Sequence, residues 1–525
     1  MNVRRFKFLA TSAALFCLSA VGCTDLTLEP KSTVTEANIF VDLNSYRAFL
    51  AKAYVGLAVG GQQGGDGQTD IQGIDGGFSQ YLRLYWEHQE LPTDEAIIAW
   101  GDDGLPDLNK ASWGSTNVFV SAMYYRIYFQ IGMTNEFLRQ TTDAKLAERG
   151  HTGFAATIAT YRAEARFLRA LSYWHGIDLF GDIPLVTDAD ALTSTPPQQA
   201  TRADIYNFIV SELTEIQSAL PAPGPTTYGR ATGPAASMLL AKLYLNAGVY
   251  TGTTNYPAAL TAAQAVIAGP YSLDPSYRHM FLADNHTSPE LIFAVPEDGL
   301  KTQTYGSTNF IIHASVGSGM NSLDYGISGG GWWGVRLKPE AYNLFGAGDG
   351  RAAYFVTTAG HGAAINAIGS FDDGIKAPKY SNRTSSGALG SDLGFVDTDY
   401  PMFRLADAYL IYAEANLRGG GGSAATALGY VNALQQRAFG DATHNITSGQ
   451  LTLDFILDER GRELLWEGHR RNDLVRYGKF TGGAYLWAWK GGVQAGTSTD
   501  AHLNLYPIPA NELVANPNLK QNPGY

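Results

Sequence analysis

The sequence predicts a mainly α protein, a helical scaffold that carries long loops and small hairpins. Three observations predict it. Apolar residues recur at helical spacing over several long stretches. In two of them small and large residues alternate: Ala236, Leu239, Leu240, Leu243, Tyr244 and Ala247 in one, and Leu405, Ala408, Tyr409, Tyr412 and Ala413 in the other. Faces of this kind let helices pack closely in antiparallel pairs, as in tetratricopeptide repeats. Between the two, Tyr271–Asp399 is rich in Gly, Ser and Thr and offers only short β-like runs, Glu290–Val295 and Phe310–His313.

Phe40–Val59 is expected as the first helix, with Tyr46, Phe49, Leu50, Ala53, Tyr54 and Leu57 on one face. A Gly/Gln/Asp loop follows over Gly60–Gly77. Helices are expected near Ser115–Thr141, Phe154–Leu179, Arg202–Leu220 and Gly233–Ala247, and again over Phe403–Phe439 with a break at Gly419–Gly422. Leu453–Phe480 reads as one long helix, with Leu457, Leu464, Leu465, Trp466, Leu474 and Val475 on its apolar face. Its charges fall three or four apart, as in Glu459/Arg462/Glu463 and Glu467/Arg470/Arg471. Taken alone they describe a surface helix laced with solvated ion pairs. The Pro/Asn-rich end, Tyr506–Tyr525, is expected to be extended and packed.

With 525 residues, 45% of them hydrophobic, the chain can bury a large core. A formal charge of −12 argues against a nucleic-acid partner. Residues 1–22 read as an export signal: Arg4, Arg5 and Lys7 precede an apolar run, Phe8–Val21, too short for a permanent span. The run ends at Ala20-Val21-Gly22-Cys23, a loose lipoprotein box with Ala20 where Leu is usual. The two cysteines, Cys17 and Cys23, both lie here. A chain starting at Cys23 forms no internal disulfide, and that cysteine is expected to be the lipidation site; the alternative is a secreted protein cleaved nearby. The expected organisation is a signal over 1–22 and a single domain over 23–525, with a loop-rich ligand region at about 271–400.

Several motifs suggest chemistry. Gly326-Ile327-Ser328-Gly329-Gly330 fits G-x-S-x-G, but that motif needs a strand before it and a helix after it, and here it sits in a Gly-rich loop. The histidines show no zinc spacing. Glu463 and Glu467 could pair as in a glycosidase, yet each has an Arg within helical reach. Asp94-Glu95 and Asp102-Asp103 flank an aromatic residue and suit ligand binding equally well. Sugar rings stack their C–H faces on Trp and Tyr and pair their hydroxyls with Asp, Asn, Arg and Lys. Three loops have that composition: Asp75–Trp100, Lys301–Tyr305 and Gly329–Trp333. The alternative is that these rings belong to the core. Asp397-Thr398-Asp399, with Asp284, offers hard oxygen ligands of the kind Ca²⁺ prefers; the alternative is solvated loop aspartates.

Three stretches carry a resemblance. ERGRELLWEGHRRNDLVRYGKF, YRAEARFLRALSYWHGIDLFGDIPLV and YPIPANELVANPNLKQNPGY resemble signatures of the SusD/RagB family, outer-membrane lipoproteins that capture glycans for import. The resemblance implies a SusD-like fold with a tetratricopeptide-repeat-like scaffold. It also implies surface exposure, attachment to outer-membrane lipid through Cys23, a TonB-dependent (SusC-like) transporter as partner, and no catalysis. GFSQYLRLYWEHQELPTDEAIIAW, GLKTQTYGSTNF, KLYLNAGVYTG and YLWAWKGGVQAGTST are similar to the family's starch-binding members. Position by position, this implies an α-glucan site (starch or maltooligosaccharide) of Asp75, Arg83, Trp100, Asp103, Tyr305 and either Trp332 or Trp333. Asp103 stands where the starch binders have Asn, and a carboxylate cannot donate as an amide does. The family also implies a structural calcium near Asp284, Asp397 and Asp399, and no cofactor that is required. Readings of another class are a glycan-active hydrolase and a surface adhesin; a binder of a different glycan is a third alternative.

Overall fold

The computed structural model describes residues 39–65, 67–193 and 195–525. The expected signal at 1–22, Cys23 and the tether after it lie outside the described residues. The chain divides into two compact units, Met1–Tyr46 and Arg47–Tyr525. In the described part of the first, the Phe40 ring packs on Tyr46 at 4.8 Å. Helix α1 (Leu43–Val55) starts on a reciprocal cap, where Ser45 N donates to Asp42 Oδ1 and Asp42 N to Ser45 Oγ.

In the second unit a scaffold of helices runs in chain order. Helix α2 (Tyr81–Glu90) is buried along its whole length. It is followed by α3 (Val118–Gln140), α4 (Ala155–Phe180), α5 (Arg202–Ile216), α6 (Gly233–Leu245) and α7 (Tyr256–Ile267). After a loop-rich stretch interrupted by α8 (Ser307–Ser315) come α9 (Leu405–Leu417) and α10 (Ala424–Phe439). Each long helix packs on the next: α3 on α4, α4 on α5, α5 on α6, α6 on α7, α7 on α9 and α9 on α10. This is the nearest-neighbour packing of stacked helix pairs. Helix makes up 47% of the described residues and strand 6%, so the class is mainly α. Side-chain caps fix where the helices begin: Asn117 for α3, Thr201 for α5, Thr232 for α6 and Ser423 for α10 each accept from backbone N–H groups of the first turn.

The strands are short and pair in twos. Strand β1 (Ala96–Ile98) runs antiparallel to β5 (Val335–Leu337), β2 (Ile183–Pro184) to β3 (Gln199–Ala200), and β4 (Leu291–Val295) to β6 (Tyr400–Arg404). Of the two expected β-like runs, the first is β4. The second, Phe310–His313, lies inside helix α8. Its apolar residues Phe310, Ile311 and Ile312 are consecutive and buried, and a run that short has no period to tell strand from helix.

The expected single helix over Leu453–Phe480 is two, α11 (Leu453–Glu463) and α12 (Arg470–Arg476). Between them the backbone turns left-handed at Trp466 (φ 61°) and Gly468 (φ 76°). A Cβ on Gly468 would come within 2.8 Å of the Tyr85 ring, so glycine is needed there for space as well as conformation. Nor are its charges solvated. Arg404 pairs with Glu290, Glu463 and Glu467 at 2.9, 2.7 and 2.6 Å, and Arg351 pairs with Glu459 and Glu463 at 2.7 and 3.0 Å. Arg470 grips Asp94 at 2.6 Å and Arg471 meets Asp178 at 3.0 Å. All of these side chains are buried. Of the expected pairs along the helix, Glu459–Arg462 forms, at 2.8 Å. The break at Trp466–Gly468 removes the register that would have paired Glu467 with Arg470 and Arg471.

Candidate functional site

The pairing of β1 with β5 brings two of the singled-out loops together. Beyond the strands, Ala99 N donates to the Gly334 carbonyl at 2.9 Å. Trp100 and Trp332 therefore meet: Trp100 Nε1 donates to the Trp332 carbonyl at 2.9 Å, and the rings lie 6.3 Å apart at 49°. Tyr305 joins them edge-on, 5.7 Å from Trp332 at 88°. Trp100, Tyr305 and Trp332 thus form one cluster, each ring partly exposed, with planes that turn from one ring to the next.

Each ring has a second ring against it. Phe310 sits 5.9 Å from Trp100, His313 stacks on Trp332 at 4.6 Å and 23°, and Phe395 stacks on Tyr305 at 5.7 Å and 17°. Phe78 meets Trp100 edge-on at 6.5 Å. Sequence reasoning missed these four. The available signal was the three-residue spacing of Phe310 and His313 directly after Tyr305, which the β-like reading of that run concealed.

Arg83 lies on α2 rather than in a loop and is only 3% exposed. Its guanidinium is packed against Phe78 and Phe310, at 4.2 and 4.4 Å, and 5.4 Å from the Trp100 ring. Nη1 donates to the carbonyls of Gly77 at 2.7 Å and Tyr305 at 3.1 Å, and Nε pairs with Glu87 at 3.0 Å. Nη2 has no hydrogen-bond partner among the described residues. Burial lowers the pKa of Arg83, while Glu87, Asp102 and Asp75 raise it in return. Burial also pushes Glu87 up to about 7. Asp75, which is exposed, accepts from Gly77 N at 2.8 Å and so shapes the turn that Arg83 holds. Asp102 and Asp103 are exposed beside Trp100.

Trp333 is placed apart. It is 53% exposed, its backbone is left-handed (φ 55°), and its Nε1 donates to the Gly330 carbonyl at 3.0 Å. Between the two candidates Trp332 and Trp333, the ring that touches both Trp100 and Tyr305 is Trp332.

The remaining candidates do not assemble into reacting groups. Asp94 is buried against Arg470 and accepts from Tyr485 Oη at 2.6 Å, and Glu95 accepts from Trp466 N at 3.1 Å. Glu463 and Glu467 are spent on Arg404. Ser328 follows the 3₁₀ turn Ser322–Tyr325 and precedes irregular chain, so no nucleophile elbow forms. The expected calcium ligands do not converge. Asp284 accepts from Ser385 N and Oγ at 2.8 and 2.6 Å; Asp397 accepts from Gly299 N at 2.8 Å and Ser391 Oγ at 2.6 Å. Asp399 accepts from Tyr228 Oη at 2.5 Å and Glu297 N at 2.7 Å. Among the described residues no group of three or more His, Cys, Asp and Glu is placed to hold a metal ion. Donors already occupy these carboxylates, so the three do not fit a calcium site.

Fold and site together define a helical scaffold protein whose loops display a cluster of aromatic rings. Residues 370–525 match the model of the SusD family, and residues 95–245 match one described as "Starch-binding associating with outer membrane". The chain is 34% identical to the starch-binding protein SusD of Bacteroides thetaiotaomicron over 98% of each chain. It is 28% identical to the SusD-like protein P2 of Formosa agariphila over 97% of this chain and 98% of the other. Among solved structures, a SusD superfamily protein from Bacteroides thetaiotaomicron superposes with TM-score 0.71 at 22% identity, covering 92% of this chain and all of that one. Surface glycan-binding protein A of the same organism, solved with laminarihexaose, gives 0.68 at 21% identity, covering 91% and 99%. The chain belongs to the SusD family.

Proposed function

We propose that this protein binds α-glucan, starch or maltooligosaccharide, on an arc formed by Trp100, Trp332 and Tyr305, and that it does no chemistry on the glycan. The observation that carries this reading is the turning of the ring planes, by 49° from Trp100 to Trp332 and by 88° from Trp332 to Tyr305. A curved glucan meets successive rings at changing angles, whereas a flat ribbon needs coplanar ones. The choice of starch is supported by the similarity to the starch-binding protein along the whole chain. Asp75 and Asp103 supply acceptors at the rim. Arg83 acts from below, holding the Asp75 turn and the Tyr305 loop in register.

The protein is held at the outer membrane by lipid on Cys23 and delivers glycan to a TonB-dependent transporter of SusC type. The family's description as associated with the outer membrane supports the location. An affinity-gel screen of the purified protein against amylopectin, laminarin and xylan tests the glycan. Retardation by amylopectin is expected. Retardation by laminarin alone would make it a binder of another glycan, and release of reducing sugar would make it a hydrolase.

A further inference from the structure

Helix α8 underlies the whole arc. It begins two residues after Tyr305, and its residues Phe310 and His313, three apart, lie on one side of it. Phe310 meets Trp100 at 5.9 Å, and His313 stacks on Trp332 at 4.6 Å and 23°. The His313 carbonyl also accepts from Trp332 N at 2.7 Å, so the same residue holds both the backbone and the ring of Trp332.

The His313 side chain is 4% exposed. Among the described residues its ring nitrogens meet no side-chain partner, and the polar group that bears on them is the Gly394 backbone. What the ring gives the site is therefore its flat face, stacked on Trp332. Burial lowers its pKa to about 4, so it presents a neutral ring to Trp332 near pH 7. Without it, Trp332 would lose the surface that fixes its tilt. Trp332 in turn would lose register with Trp100, whose Nε1 is bonded to the Trp332 carbonyl.

We propose that His313 is a positioning residue for glycan binding: it touches no ligand and sets the angle of Trp332 by ring stacking from below. The inference rests on the reading that Trp332 is part of an α-glucan platform. The test is titration of the full chain with maltoheptaose, followed by tryptophan fluorescence, for His313→Ala, His313→Phe, His313→Leu and Trp332→Ala. A thermal melt of each identifies the folded variants. His313→Ala should bind roughly tenfold more weakly, the order seen when one supporting contact of a binding surface is lost. His313→Phe, which restores a flat ring without nitrogens, should stay within about threefold of the parent, as expected for a ring-for-ring replacement. Should the alanine variant fail to fold, His313→Leu fills the space without a ring and should bind more weakly than His313→Phe.

Binding by His313→Ala equal to the parent, or equal binding by the Leu and Phe variants, would overturn the proposal while Trp332→Ala still weakens binding. Unaltered binding by Trp332→Ala would overturn the platform itself, and the proposal with it.

Discussion

Arg83 donates from Nη1 to the carbonyl of Tyr305 at 3.1 Å, across 222 residues of chain. The same Nη1 reaches Gly77 at 2.7 Å, so one buried guanidinium ties the Asp75 turn to the Tyr305 loop. Arg supplies several donors in a rigid fork, which Lys does not.

Arg83→Met should therefore loosen the site and the fold together. Removing one partner of a buried ion pair costs about 3–5 kcal/mol when the other charge is left behind. Glu87 can take up a proton, its pKa being about 7, so the low end of that range is expected near neutral pH. The urea midpoint should fall and glucan affinity should drop with it. Adding Glu87→Gln should recover part of the stability but not the affinity. A double variant as weakly folded as the single would show that the ion pair is not the source of the loss.

Glu297 gives a pH signature. Burial raises its carboxyl to about 8. Below about 4.5, its usual value, both folded and unfolded forms hold the proton. As pH rises from there towards 8, the unfolded chain ionises first, so the wild-type protein loses stability over that interval. Glu297→Gln cannot ionise. The melting-temperature advantage of the variant over the wild type should grow from pH 5 to pH 8 and level off above. A difference constant across that range would mean that Glu297 is already ionised in the fold.

Much of this was legible beforehand, for identifiable reasons. The helices at 118–140, 155–180 and 233–245 carry strong periodicity, and the first and last also begin on side-chain caps, so their expected and observed ends lie close together. Composition and resemblance single out Trp100, Tyr305 and Trp332, and these three rings do lie in one cluster; that the cluster binds glycan is the proposal. What failed was information that lives in three dimensions. Charges at helical spacing say nothing of burial, so in the sequence the arginine–carboxylate network around Glu463 reads as a solvated face. Trp466 and Gly468 break a helix whose apolar pattern runs on through them. Helix α8 hid because Phe310–Ile312 is an unbroken apolar run, and with it went His313 and Phe310, the rings beneath the arc. Asp284, Asp397 and Asp399 suited a cation by type, while only geometry shows their oxygens already taken.

Trp332 and Trp333 are neighbours with opposite placements, one in the ring cluster and the other 53% exposed beside it. Trp332→Ala should weaken amylopectin retardation strongly, and Trp333→Ala should weaken it less. Both should keep a cooperative melt. The reverse order would move the arc to Trp333 and put the Trp100–Trp332 contact in the core.

The most direct measurement is a calorimetric titration of maltoheptaose into the wild-type protein and into Trp100→Ala. Trp100 contacts Phe78, Phe310, Trp332 and Arg83, so it is the ring most of the site leans on. Losing a central aromatic anchor costs about 2 kcal/mol or more of binding, which is roughly thirtyfold in affinity. The account predicts a measurable affinity for the wild type and a loss of at least that size in a variant that still melts cooperatively. Unchanged affinity in folded Trp100→Ala, or no binding of the oligosaccharide by the wild type, would contradict it.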